Sequence, residues 1–285
     1  MKRAYIYLLL LAAVVLPQFT TSCTHEIDFD YPTADPLVVV EGRVTNAEVY
    51  VRVSSTRSMS DSVKTHVIDH AAVLLSCDDG TSEQLVYNSD EQCYRSPSGM
   101  TGTPGHTYTL AVTVGDRRYE ASSYMLPPAP IDTVAFRYYD VLQQRLYLLY
   151  IKAVSPTPGE MRNYWYRLLR GGKTFRWGAL SDRGCEPGYL ERDLICTSEE
   201  ELKKDQDMSH QRPLRDGDIM QVELMTIDRP TYHYLMSLQS SESTTTNPLT
   251  NFSGGALGVF SAAGSVLTEP FVFDRAIITD TIPGQ

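Results

Sequence analysis

An all-β architecture is what this sequence predicts: an immunoglobulin-like β-sandwich followed by a β-rich region with one or two short helices. Three observations predict it. Apolar and polar residues alternate at period two, the alternating runs are short, and Gly, Pro, Asn and Asp punctuate them.

The chain opens on a stretch that is not part of that fold. Lys2 and Arg3 precede an uninterrupted apolar run, Ala4 to Leu16, which Pro17 ends ahead of Thr20-Thr21-Ser22-Cys23. At about 13 residues the run is shorter than the roughly 20 that span a bilayer as a helix, so residues 1–22 read as a lipoprotein signal peptide. Cys23 is then the candidate lipid acceptor. Thr20 stands where such a signal normally carries Leu, which leaves plain secretion open as a second reading. Residues 23–36 form an acidic, proline-punctuated tether with Glu26, Asp28 and Asp30.

Strand signals begin at Leu37. LVVVEGRV (37–44) is followed by Val49, Val51 and Val53 alternating with Tyr50, Arg52 and Ser54, with a turn over Asn46 to Glu48. Ala71 to Cys77, an Asp78-Asp79-Gly80 turn and Gln84 to Tyr87 come next. Thr107 to Val114, a Gly115-Asp116 turn and Arg117 to Tyr124 follow. Seven or so strands in about 90 residues predict the sandwich over 37–127, and Pro127-Pro128-Ala129-Pro130 marks its end.

Residues 128–285 read as a second, β-rich domain. Arg145 to Val154 makes a strand, and Tyr164 to Leu169 turns at Gly171-Gly172 into Thr174 to Trp177. Ser198 with Glu201 forms a capping box for a short helix to about Lys204. Asp228 caps a second helix to about Leu238, with Pro230 in its first turn. A polar loop, Ser240 to Ser253, precedes two further strands, Ala256 to Ser261 and Val266 to Phe273.

Charge and cysteine usage bound the function. Loss of Lys2 and Arg3 with the signal takes the 25 basic residues to 23 against 35 acidic ones, a formal charge of −12 that argues against nucleic acid as a partner. With Cys23 set aside, Cys77, Cys93, Cys185 and Cys196 form two sequence-local pairs. In an oxidising compartment they predict disulfides Cys77–Cys93 and Cys185–Cys196, with four free thiols as the alternative. None lies in a C-x-x-C pair, so no metal site is expected.

Catalytic motifs fail on spacing, and no cofactor signature is present. His66 and His70, four apart on a strand, would stand about 13 Å from each other. Arg170-Gly-Gly-Lys-Thr174 lacks the first glycine of a phosphate loop. Gly258-Val-Phe-Ser261-Ala-Ala-Gly264 has the wrong spacing for a nucleophile elbow, and its small residues fit close backbone packing. Binding has a better candidate. Tyr138, Tyr139, Tyr147, Tyr150, Tyr164, Trp165, Tyr166, Phe175 and Trp177 concentrate aromatic side chains, with Trp165 and Trp177, Tyr138 and Tyr139 as candidate contacts for a ligand or partner. Alternation places Tyr164 and Tyr166 opposite Trp165, so core and binding-surface roles both stand.

The runs DPLVVVEGRVTN, GHTYTLAVTVGDRRYEASSYMLPPAPIDTV and SGGALGVFSAAG resemble a family of Bacteroidetes outer-membrane lipoproteins defined only by a domain of unknown function. That resemblance implies a lipid-anchored outer-membrane protein, at the cell surface, that accompanies a TonB-dependent transporter and binds a glycan or peptide without catalysing a reaction. A cell-surface adhesin or structural lipoprotein is the alternative, and a hydrolase a third. The acids after Cys23 resemble surface-export signals of such lipoproteins. Asp61-Ser62-Val63, Asp132-Thr133-Val134 and Asp280-Thr281-Ile282 resemble the O-glycosylation signal of exported Bacteroidetes proteins, making Ser62, Thr133 and Thr281 candidate acceptors in loops.

Overall fold

The computed structural model describes residues 35–56, 66–198, 213–241 and 247–280, except the side chains of Ile195 and Cys196. Cys23, residues 24–34 of the acidic tether, Ser62, Thr281 and the charged helix expected after Ser198 lie outside these residues. The strands are β1 (Val38–Thr45), β2 (Val49–Ser55), β3 (His66–Val67), β4 (Ala72–Cys77), β5 (Ser82–Asn88), β6 (Cys93–Arg95), β7 (Thr107–Val114) and β8 (Arg117–Tyr124). After the prolines come β9 (Ile131–Val141), β10 (Gln144–Val154), β11 (Asn163–Arg170), β12 (Lys173–Ser181), β13 (Tyr189–Ser198) and β14 (Ile219–Ile227). The helix α1 (Arg229–Ser241), β15 (Leu257–Leu267) and β16 (Phe271–Val272) complete the described elements. The protein is mainly β, with a single helix among the described residues.

One hydrogen-bonded path runs β12-β11-β14-β15-β1-β2-β6-β5-β4-β7-β8, and β13-β10-β9 form a separate sheet. Strand β5 turns the corner of the path. Its Leu85 pairs with β4 while Val86 to Asn88 pair with β6, so the ribbon folds over on itself. Alternation then decides what is enclosed: Val40 and Val44 of β1, Val51 and Val53 of β2, Leu75 of β4 and Leu110 and Val112 of β7 are fully buried together. Each such aliphatic side chain contributes about 1.5–3 kcal/mol by leaving water. Gly42 keeps the layers close, since a Cβ there would sit 2.8 Å from Leu110 Cδ2.

A second core lies between β9, β10 and β13 on one side and β11 and β14 on the other, around Leu149, Ile151, Tyr164, Leu168, Leu190, Leu224 and Phe273. Residues 127–130 separate β8 from β9, yet the first core draws on both sides of that stretch. Phe252, Ala256, Phe260 and Ala262 complete it, because β15 pairs in parallel with β1 over Val39↔Leu257 to Thr45↔Ala263. The small residues of the run 253–264 are what allow this. Gly258 has φ +97 and a Cβ there would lie 2.0 Å from the Val40 carbonyl oxygen, while one on Gly264 would lie 2.3 Å from Pro128 N. The segment expected as two strands is accordingly one, β15, followed by the short β16.

Several expectations change. The run 67–77 breaks at Ile68 to Ala71 before β4, and Ser198, expected as a helix cap, is the last residue of β13, while the helix expected after it lies outside the described residues. The predicted disulfides are absent: Cys77, Cys93 and Cys185 are free thiols. Cys77 follows Ser76, which pairs with Ser82 at the start of β5, whereas Cys93 pairs with Asn88 at its end. At about 3.3 Å per residue the two cysteines stand roughly 20 Å apart, against the 7 Å limit for a bridge. The Cys185 thiol lies against Glu191 and Arg192, while Cys196 sits opposite Leu148, five residues further along β13 and thus roughly 16 Å away.

Candidate functional site

The outer face of β1, β2, β11, β12 and β15 carries the residues that alternation excludes from the two cores. Val49, Val51 and Val53 of β2 point inward, so Tyr50 and Arg52 point outward beside Glu41 and Arg43 of β1. On β11, Tyr164 and Leu168 enter the second core, which turns Trp165 and Arg167 to the opposite face. Register brings Arg167 level with Trp177 on one neighbouring strand and with Glu223 on the other.

Helix α1 lies over part of this face. Its start is set by Asp228, whose Oδ1 accepts from Thr231 N at 2.9 Å while Oδ2 accepts from Ser123 Oγ at 2.7 Å. Ser123 Oγ also accepts from Ala262 N at 2.9 Å, so one carboxylate ties the helix to β8 and β15. Tyr234 and Leu235 then pack on Met225, Ile227, Val259 and Ala263, with Trp165, Trp177 and Leu238 at the margin of that cluster.

Between the helix and β1–β2 remains a cavity of about 410 Å³. One wall is Trp165, Trp177, Arg167 and Thr174, the other Glu41, Gly42, Arg43, Tyr50 and Arg52, with Tyr234, Leu235, Leu238 and Val259 between them. Volume, aromatic lining and a few charged groups suit a small ligand or one sugar or peptide unit of a polymer.

The charged groups differ in how they are held. Arg43 is paired with Glu48, which also takes Arg95 at 2.6 Å, and the two guanidinium groups stack on Tyr50 at 4.9 and 5.1 Å from its ring centre. Burial opposes ionisation of Glu48, but the hydrogen bonds and charges of Arg43 and then Arg95 hold its carboxyl below the usual value. Arg167 donates to Glu223 at 2.6 Å and to Thr174 Oγ1 at 2.8 Å. Arg52 has no ion-pair or hydrogen-bond partner among the described residues, although Glu41 stands directly across β1–β2 from it. Its Nε, like Arg43 Nε and Trp165 Nε1, is buried without an acceptor. Burial, reinforced by the Glu41 carboxylate, pushes the Tyr234 phenol up to about 12, so it is a neutral hydroxyl.

A family model described as domain of unknown function (DUF4249) matches residues 24–268. The chain belongs to that family. No curated protein matches it. In this DUF4249 protein the aromatic residues singled out from sequence divide three ways. Trp165 and Trp177, the only tryptophans of the chain, both line the cavity. Tyr147, Tyr150 and Tyr164 are buried, Tyr164 in the second core with its phenol pushed up to about 12 by that burial, and Tyr166 and Phe175 pack half-buried against the same core. Tyr138 and Tyr139 lie on β9, apart from the cavity, under Arg145 and Arg137 respectively. Thr133 also lies on β9 rather than in a loop, and its hydroxyl donates to Asp132 at 3.0 Å. Sequence reasoning misses Glu41, Arg43, Tyr50 and Arg52. Their signal is present, as charged and aromatic residues at alternate positions on an otherwise valine-rich pair of strands, but nothing local says that Trp165 and α1 will face them.

Proposed function

We propose that this protein is a non-enzymatic binding component of the outer membrane, lipid-anchored through Cys23 at the cell surface, which presents a ligand to a TonB-dependent transporter. The cavity between α1 and β1–β2 is its ligand-binding surface, and an acidic oligosaccharide is the ligand class it suits. The observation that carries this reading is the pairing of both tryptophans with an arginine, Arg52, that makes no ion pair with a described residue and whose Nε is buried without an acceptor. A sugar ring stacks on an aromatic face, its carboxylate meets the guanidinium, and Glu41 accepts from its hydroxyls. The amino-terminal signal with its terminal cysteine supports the anchor, and the family match begins at residue 24, directly after that cysteine. Resemblance to accessory lipoproteins supports the transporter.

Because both tryptophans line the cavity, intrinsic fluorescence reads it directly. Titration with oligogalacturonides should quench or shift the emission saturably, and neutral oligosaccharides of the same length should bind more weakly. Unchanged emission with the acidic sugar, or an equal response to poly-glutamate, would remove this ligand assignment. Purification from detergent-solubilised outer membrane should recover a large β-barrel with the chain. Recovery of self-associated chain alone would favour an adhesin.

A further inference from the structure

A second cluster of side chains lies at the rim of the first core, on the turn between β4 and β5. Cys77 ends β4 facing inward, as Val73 and Leu75 do before it. The chain then reverses over Asp78, Asp79 and Gly80, with Gly80 at φ +92. Backbone pairing carries His106 to the same place: Asp78 N donates to Thr107 O at 3.0 Å, and Thr107 N donates to Asp78 Oδ2 at 2.9 Å. The donor atoms of Cys77, Asp79 and His106 all lie within 4.8 Å of one another.

We propose that Cys77, Asp79 and His106 form a three-ligand site for a divalent transition-metal ion, Zn²⁺ by the chemistry of its donors. Thiolate, imidazole and carboxylate together suit zinc, whereas Ca²⁺ and Mg²⁺ demand oxygen ligands throughout. Metal–donor bonds of about 2.0–2.3 Å place tetrahedral donors roughly 3.5 Å apart, so the side chains close by about 1 Å on the ion. On binding, the thiol proton passes to solvent and the sulfur bonds to the metal. Three protein ligands leave a fourth position for water or an exogenous donor.

Two neighbours prepare the site. His106 Nδ1 is paired with Asp78 Oδ1 at 2.7 Å, the carboxylate–histidine contact that orients metal-bound imidazoles. Asp79 Oδ1 accepts from Thr81 N and Thr81 Oγ1 at 2.8 and 2.7 Å, which fixes its carboxylate over the thiol. A search for cysteine pairs overlooks such a site, because one ligand is the last residue of β4, the next lies two positions on, and the third lies 29 residues after the first.

Cobalt is the probe. The intact, untagged chain, reduced and titrated with Co²⁺, should develop a thiolate-to-metal charge-transfer band that saturates near one equivalent and is bleached by Zn²⁺. Cys77→Ser should abolish the band. His106→Ala and Asp79→Asn alter partly exposed or exposed side chains, leave the circular dichroism unchanged and weaken Zn²⁺ binding by at least about tenfold, and Asp78→Asn weakens it by about 10–100-fold through lost positioning. No band in the wild-type chain, a band that survives Cys77→Ser, or full affinity in both the His106 and Asp79 variants would overturn the site.

Discussion

Replacing Arg52 by Met separates ligand binding from stability at the cavity. The substitution keeps an unbranched aliphatic stem and removes only the guanidinium. Arg52 makes no ion pair or hydrogen bond with a described residue and its Nε is buried unsatisfied, so the folded state loses no such bond and sheds an orphaned donor. Stability should therefore stay level or rise by up to about 1 kcal/mol, which for a domain of this size is roughly 2–4 °C in Tm. Ligand binding should behave oppositely. A charge-assisted hydrogen bond contributes about 1.5–3 kcal/mol, so affinity for an oligogalacturonide should fall by about 10–150-fold. Arg167→Met is the control, because it breaks the 2.6 Å pair with Glu223, whose side chains are 20% and 14% exposed, and leaves that acid with Ser265 Oγ at 3.0 Å. Its cost should be about 1–3 kcal/mol of stability. Tryptophan fluorescence titration and thermal unfolding of the three proteins decide the matter. A Tm loss in Arg52→Met as large as that in Arg167→Met, or wild-type affinity in Arg52→Met, would refute the assignment of Arg52 to a ligand.

Other outcomes follow from the same structure. Gly258→Ala puts a methyl group 2.0 Å from the Val40 carbonyl oxygen at φ +97, so it should cost more than about 3 kcal/mol by prying β15 from β1; unchanged thermal unfolding would contradict that packing. Glu48, held below its ordinary value of 4.5 by Arg43 and Arg95, contributes stability that is complete above that value and is lost as pH falls through its folded-state value. Denaturant unfolding between pH 7 and 3 should show this loss, and Glu48→Gln should flatten it. Cys77, Cys93 and Cys185 should each take up iodoacetamide once the unreduced chain is unfolded, and protection of any one would restore a disulfide.

Much of the fold is legible because the pattern that specifies a strand is local. Val49, Val51 and Val53 alternate with Tyr50 and Arg52, and two turns announce their hairpins, Gly115-Asp116 between β7 and β8 and Gly171-Gly172 between β11 and β12. Asp228 is recognisable as a helix cap for the same reason. Strands β9, β13 and β14 escape the reading. On β9, half-buried positions run from Thr133 to Tyr138, so its two faces differ little and period-two contrast is weak.

What the residues determine without the fold is therefore the all-β class, the core face of most strands and the two tryptophans as the best candidate contacts. What the tertiary structure alone decides is partnership. The parallel pairing of β15 with β1 joins residues more than 200 positions apart, and with α1 it sets Trp165 and Trp177 against Arg52. Cys77 is likewise kept from Cys93 by the length of β5 and delivered to His106 by the pairing of β4 with β7. Alternation says which way a side chain points, but what it meets depends on long-range closure that no local pattern encodes.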